Sequence, residues 1–186
     1  MDEFGYLSVL LSIIIGLAVT QLLTGLRGLM LQRARIRIYW VPVAWGLVFL
    51  LVLTQTWWAM FGLRGHREWT FAEFAAVLFH TIVMYLTAAI ILPDFGDQPV
   101  DLRAHYYRHR GWLFSLLLLA TAASLTKSLV LSGALPDRRD VAFHAVYAGV
   151  GVLGLATARP RVHEVLAAGM GVLFGLYIAL LFTRLG

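Results

Sequence analysis

Long apolar stretches separated by short charged breaks dominate this sequence. A helix needs about 20 mostly apolar residues to cross the hydrocarbon core of a bilayer. Six stretches meet or approach that length, at about residues 4–31, 41–63, 71–92, 112–131, 141–158 and 162–181. The 186-residue chain is therefore predicted to be an all-α, polytopic integral membrane protein, a single domain of six transmembrane helices with short loops.

The composition excludes most soluble classes of protein. Hydrophobic residues make up 60% of the chain and charged residues 13%, whereas soluble domains have about 45–50% and about 25%. The sequence has no cysteine, which excludes disulfides, thiolate nucleophiles and cysteine-ligated metals. Its net charge of +5 arises in short connectors beside apolar stretches, so the lipid bilayer is the expected partner and nucleic acid is not.

The arginines predict an orientation, because Lys and Arg favour the cytoplasmic side in short loops. The first, third and fifth breaks hold Arg33, Arg35, Arg37, Arg103, Arg108, Arg110, Arg159 and Arg161; the second and fourth hold Arg64, Arg67, Arg138 and Arg139. The N-terminus is acidic, with Asp2 and Glu3, and no basic residue precedes the first apolar stretch, unlike a secretory signal peptide. We expect both termini outside the cytoplasm, in a bacterial cytoplasmic (inner) membrane.

Three of the apolar stretches contain small residues at every fourth position, which align along one ridge of a helix. Lipid gives helices no hydrophobic drive to associate, so small residues that allow close backbone approach hold such bundles together. The ridges therefore predict contact faces within the chain or between copies in a homo-oligomer. They are Ser8, Ser12, Gly16, Thr20, Thr24 and Gly28; Ala120, Ser124, Ser128 and Ser132; and Ala167, Gly171, Gly175 and Ala179.

A few polar side chains lie inside the predicted spans, where they are costly and therefore candidates for function. A rise of about 1.5 Å per residue places four of them in the outer half of the membrane and His80 near its middle. Glu73 and His80 lie seven residues apart on one helix face. The four in the outer half are Gln55, Glu73, Lys127 and His144.

This placement predicts a small channel or transporter for an ion or small polar solute, with a polar cavity that faces outward. His80 is the expected central polar group, with Gln55 beside it and Glu73 paired to Lys127. We expect Gln21 and Thr24 to line the path towards the inner side. The simpler interpretation is that these residues pair with neighbouring helices or extend to the interface.

Two other functions stay open. A haem b electron carrier could use His80 and His144 as axial ligands, although their predicted depths differ by about 9 Å at 1.5 Å per residue. A non-transporting accessory or structural membrane protein also fits the composition. An enzyme is not expected, because the sequence lacks HExxH, GxSxG and paired intramembrane aspartates.

The third break contains the weak metal-ligand candidates Asp101, His105 and His109. They recur at every fourth residue and would share one face of a helix. Two imidazoles and a carboxylate are able to bind a divalent metal. A solvated, charge-balanced interfacial helix is the favoured interpretation of this segment, so no metal is expected.

Overall fold

The computed structural model describes residues 3–66, 68–96 and 98–181. The all-α prediction is confirmed: the helices are α1 Glu3–Leu31, α2 Trp40–Met60, α3 Phe71–Ile91, α4 Leu102–Ser132, α5 Arg138–Ala156 and α6 Pro160–Leu181. Two 3-10 turns follow α1 and α2, at Arg33–Arg35 and Phe61–Gly65. Asp2 and Arg67, which entered the orientation argument, lie outside the described residues.

Five helices, α1 to α4 and α6, are long and apolar enough to cross a membrane, which supports an integral membrane protein. The remaining helix, α5, has 19 residues and begins with Arg138, Arg139 and Asp140. These charges shorten its apolar part. Length and composition alone therefore give five crossings among the described residues.

Helix α4 begins at Leu102, well before the predicted start at residue 112, and runs for 31 residues. The Asp101 carboxylate starts it by accepting hydrogen bonds from the backbone N–H groups of Arg103 and Ala104, at 2.8 and 2.9 Å. At about 1.5 Å per residue the helix is about 46 Å long, which exceeds the hydrocarbon thickness of about 30 Å. The basic segment is therefore the first part of α4 and not a separate interfacial helix.

The two ends of the helix bundle differ, and each is named here by a feature that lies there. The breaks after α1 and α3 meet in a parallel pair of two-residue strands, β1 Ile36–Arg37 and β2 Val100–Asp101. We call this the strand end. At the opposite end, where α3 and α5 begin, the Glu3 carboxylate accepts a hydrogen bond from the backbone N–H of Trp69 at 3.3 Å. We call it the cavity end, for the reason given below.

Helices α2 to α6 form a ring, and α1 packs on its outside against α2 and α3. The face of α1 that meets the ring is apolar and buried, with Leu11, Ile15, Ala18 and Leu22 at its centre. Gly28 lets α1 approach the break after α3, because a Cβ atom there would collide with the Phe95 ring. Most of the α1 surface therefore faces away from the other helices.

The three small-residue ridges have different surroundings. On α1, Gly16, Thr20 and Thr24 are exposed, so the middle of that ridge makes no helix contact within the described chain. On α4, Ala120 and Ser124 face the inside of the ring. The α6 ridge is mixed, from buried Ala167 and partly buried Gly171 to exposed Gly175 and Ala179.

Candidate functional site

A cavity of about 210 Å³ lies inside the ring of α2 to α6. Its lining reaches Leu63, in the 3-10 turn after α2, and Asp140, in the first turn of α5, both at the cavity end. Towards the strand end the lining stops at Trp45 on α2 and Met170 on α6, before either helix ends. The cavity therefore extends from one end of the bundle past its middle without reaching the other.

Several polar side chains face this cavity without a partner among the described residues, including the Tyr147 hydroxyl. Gln55, His80 and Lys127 come from α2, α3 and α4, and they form no hydrogen bond or ion pair with any described residue. Lys127 is the only lysine in the chain. Polar groups at such depth are costly unless they find a partner. These three are therefore available to a bound solute.

A second polar group at the cavity end is fully paired. The Asp140 carboxylate accepts a hydrogen bond from the Tyr177 hydroxyl at 3.0 Å and lies 3.4 Å from Nδ1 of His144. Nδ1 is also 2.8 Å from the Asp140 carbonyl oxygen, which can only accept, so Nδ1 donates. Nε2 of the same ring forms a hydrogen bond with the Ser124 hydroxyl at 3.1 Å. Asp140 and His144 are thus satisfied within the protein.

The deeper wall of the cavity is apolar and aromatic. Phe49 lines it from α2, Met84 from α3 and Met170 from α6. Ser124 and Thr121 on α4 bring hydroxyl groups, and Thr121 already donates to the Leu117 carbonyl at 2.9 Å. The cavity therefore changes from charged near its mouth to apolar at depth.

Aromatic residues close the strand end below the cavity. Trp45 packs edge-on against Phe114, with ring centres 5.6 Å apart, and Phe114 contacts the ring of His163 at 5.5 Å. His163 is 0% exposed. Its Nε2 donates to the Thr157 carbonyl and its Nδ1 accepts from the Tyr106 hydroxyl, both at 2.8 Å. This end is packed, and both ring nitrogens of His163 are paired.

Two tyrosines continue this aromatic layer towards the strands β1 and β2. The hydroxyl groups of Tyr39 and Tyr107 are 3.5 Å apart, and the Arg103 guanidinium lies about 6 Å from both ring centres, within cation–π range. Burial, together with the neighbouring Tyr107 hydroxyl, raises the pKa of Tyr39. The Tyr39 hydroxyl therefore stays protonated and neutral.

The predicted role of Glu73 in the cavity is wrong. Glu73 forms a capping box with Thr70 at the start of α3, accepting from the Thr70 backbone N–H and hydroxyl at 2.7 Å each. Its other oxygen lies 3.2 Å from Nε2 of His66. No ion pair joins it to Lys127 in the described structure. The Thr70-x-x-Glu73 spacing is itself a capping-box signal that the depth count overlooked.

The two polar residues predicted on α1 also lie away from the cavity. Gln21 is partly buried and Thr24 is exposed, on the helix that packs outside the ring. Neither lines the cavity. Hydropathy placed these residues at a depth, but it gave no information on which helix stands outside the others.

The weak metal candidates do not converge on a site. The Asp101 carboxylate caps α4 and lies 3.5 Å from the Arg37 guanidinium. Nε2 of His105 donates to the Ile90 carbonyl at 3.2 Å, and Nδ1 of His109 to the His105 carbonyl at 3.0 Å. The described residues contain no group of three or more His, Cys, Asp or Glu that could hold a metal ion.

The donor set does not fit a haem. His80 and His144 both line the cavity, despite the difference in depth expected from the sequence. Both nitrogens of His144, however, are taken by Asp140 and Ser124. The cavity of about 210 Å³ is also smaller than the 300–1,000 Å³, roughly, of sites for drug-sized ligands.

Sequence reasoning missed Asp140, Tyr177 and Ser124 as parts of the site. Asp140 was counted as loop because it stands beside two arginines. Its place in a helix could have been inferred from Asp137, whose carboxylate accepts from the N–H groups of Arg139 and Asp140 as an N-cap. For Tyr177 no sequence signal distinguishes an Asp140 partner from an interfacial aromatic residue.

Comparison with protein-family models, with curated proteins and with solved structures finds no match to this chain. The function is therefore argued from the chemistry of the cavity.

Proposed function

We propose that this protein is a small membrane transporter that binds an ion or small polar solute in the cavity between α2 and α6. The observation that supports it is the set of unpaired groups there, Gln55, His80 and Lys127. His80 is buried, whereas Gln55 and Lys127 are partly exposed. Polar groups inside a protein normally find a partner. Here three polar groups on three helices have no protein partner among the described residues. Each can therefore form a hydrogen bond to water when the site is empty and to a solute when it is occupied.

The closed strand end favours a transporter over an open channel. A channel needs a continuous wet path, and the contacts of Trp45 with Phe114 and of Phe114 with His163 interrupt it. A carrier needs a site that is accessible from one side at a time. In this proposal the aromatic layer is the inner gate, and its opening is the step that releases the solute.

The proposal includes six crossings and a defined orientation. Helix α5 contacts α4 and α6 along the ring, and its charged first turn lies at the cavity end, where the bilayer interface tolerates charge. The arginine-rich breaks then lie at the strand end, on the cytoplasmic side of a bacterial inner membrane. The cavity accordingly faces outward, with both termini on its side.

The exposed ridge on α1 supports self-association. Gly16 has no heavy atom of another residue near the position of a Cβ, and Thr20 and Thr24 continue the same exposed face. Small residues in lipid allow a second helix to approach closely. We expect Gly16→Ile to lower the homo-oligomer fraction in chemical crosslinking in membranes, without changing the monomer fold; an unchanged fraction rejects this interface.

Flux in proteoliposomes tests the transport proposal. Purified protein is reconstituted, and uptake of chloride, potassium, ammonium, acetate, hexanoate and glycerol is compared with that of protein-free vesicles. We expect at least one solute to enter faster with the wild-type protein, and His80→Ala to slow its entry about tenfold or more, which is about 1.4 kcal/mol.

A matched control is Thr24→Ala, which removes a hydroxyl from α1 outside the ring and should leave flux unchanged. Absence of flux for every solute would contradict the proposal and leave the accessory or structural function. Equal flux in wild-type and His80→Ala protein would reject the assignment of this cavity as the path.

A further inference from the structure

We infer that the solute of this cavity is a monocarboxylate with a short apolar tail. Its carboxylate binds Lys127 and His80, and its tail lies along the deeper apolar wall formed by Phe49, Met84 and Met170. The inference rests on the proposed function, because it takes the cavity as the solute site and names the chemical class that the site selects.

The sign of the charge follows from which ionisable group lacks a partner. The Asp140 carboxylate has Tyr177 and His144 beside it. Lys127 has no described hydrogen-bond or ion-pair partner, although Asp140 is near enough to act on it electrostatically. Lys127 is partly exposed within the bundle. A cation there without a partner is less favourable than a paired one, so an anion gains most in this cavity.

The second donor distinguishes a carboxylate from a simple ion. His80 also faces the cavity without a partner, and it lies on α3, which packs against α4, the helix that carries Lys127. The two oxygens of one carboxylate can accept from the ammonium and from an imidazole N–H together. A halide ion offers a single centre and satisfies the pair less well.

The deeper wall provides for a tail of limited length. Ala120 lines the cavity seven residues before Lys127 on the same helix, which is about 10 Å along α4. Beyond it, Trp45 and Phe114 close the space. Each methylene group buried against such a wall raises affinity about fourfold, so short alkyl carboxylates should bind better than acetate.

Equilibrium dialysis of radiolabelled hexanoate tests the inference on the full-length protein in phosphatidylcholine nanodiscs, with protein-free nanodiscs as the blank. We expect saturable binding to the wild-type protein and at least tenfold weaker competition by acetate. Lys127→Met should weaken hexanoate binding at least tenfold, and Lys127→Arg should retain most of it. Ala120→Leu, which narrows the tail region, should weaken hexanoate but not acetate.

Neutral and cationic analogues of the same tail decide the role of the head group. Hexanamide and hexyltrimethylammonium should compete poorly. Competition as strong as that of hexanoate, from either compound or from acetate, overturns the inference, as does the absence of saturable hexanoate binding.

The single lysine allows a second measurement that needs no variant. Reductive methylation of the wild-type protein modifies Lys127 and the N-terminal amine, and mass spectrometry follows the two separately. We expect hexanoate to slow modification of Lys127 at least threefold while the N-terminal amine reacts at its usual rate. Equal rates at Lys127 with and without hexanoate overturn the inference even if Lys127→Met does not fold.

Failure of the inference and failure of the proposed function remain distinguishable. Flux of another solute through the cavity without hexanoate binding overturns the inference alone. Hexanoate binding by the criteria above, with no flux of hexanoate or any other solute, supports the inference and contradicts transport.

Discussion

The two ends of this bundle treat buried histidines in opposite ways. At the strand end, His163 is 0% exposed and both ring nitrogens are hydrogen-bonded. Near the cavity, His80 is 7% exposed and has no described partner. The first arrangement stabilises a fold, whereas the second reduces stability unless something binds. The difference separates an end whose buried histidine is paired from a cavity whose buried histidine is not.

Substitution of the two buried histidines, His163 and His80, should show the largest difference in stability. His163→Leu should destabilise the protein by about 1–3 kcal/mol, because it leaves the buried Tyr106 hydroxyl unpaired. The Thr157 carbonyl keeps a hydrogen bond from the Arg110 guanidinium. His80→Leu should leave the free energy of unfolding unchanged or raise it. Unfolding in mixed micelles measures both. Equal destabilisation by the two variants would remove the contrast between the ends.

The next largest change in stability is expected where α5 packs against α4. Gly154 lies where a Cβ would collide with the Phe114 ring, and Gly151 where it would lie 2.7 Å from Leu118. Gly154→Ala should therefore cost about 1–3 kcal/mol of stability. Gly149, on the same helix, has open space around it, and Gly149→Ala should be neutral or stabilising. If both substitutions are tolerated, the strand end is less tightly packed than described.

Removing one hydroxyl group at each of two tyrosines, Tyr106 and Tyr147, tests the same comparison on a smaller scale. Tyr106→Phe removes the hydroxyl that donates to His163 and should cost about 1–2 kcal/mol. Tyr147 lines the cavity, and its buried hydroxyl has no partner. Tyr147→Phe should not lower the midpoint temperature of thermal unfolding. A loss as large as that of Tyr106→Phe would mean that the Tyr147 hydroxyl is paired after all.

The smallest effect is expected outside the membrane, at the cap of α4. The Ala104 backbone N–H donates to the Asp101 carboxylate and, together with the Arg103 N–H and the Arg37 guanidinium, holds its pKa below the ordinary value of 3.8. Because the folded pKa is the lower one, Asp101 contributes stability above the ordinary value, and this contribution is lost as the pH falls through the folded value.

Thermal unfolding at several pH values measures that contribution. Asp101→Asn retains a capping side chain but does not titrate, so the wild-type protein should lose stability relative to this variant as the pH falls below about 4. Asp101→Ala should be less stable than both at neutral pH. A constant difference between wild type and Asp101→Asn across this range would show that the carboxylate is not held in its charged form.

Hydropathy was sufficient to locate the helices along the chain, but it did not predict how they pack against one another. The apolar stretches predict α1 to α3 and α6 closely, because burial in lipid imposes a minimum length on each helix. The start of α4 was predicted too late, since charged residues such as Arg103 and Arg108 were taken as loop although Asp101 caps a helix there. Charge alone therefore does not mark the end of a helix.

The candidate site shows the same limit more clearly. Depth along a helix can be counted, and Gln55, His80 and Lys127 do line one cavity. The rotation of a helix and the identity of its neighbours depend on side-chain packing between distant segments, which no single stretch encodes. For that reason Glu73 was assigned to the cavity and Asp140 was not.

Single-cysteine accessibility tests the central claim, a cavity that opens only at the end opposite the strands. The chain has no cysteine, so each variant carries one reporter. Ser128→Cys and Ala120→Cys line the cavity, whereas Ala167→Cys is buried outside it. A membrane-impermeant thiosulfonate should modify the first rapidly and the second more slowly from one side of the membrane only, and the third from neither. Modification of Ala120→Cys from both sides, or of Ala167→Cys from the strand side, would contradict the account.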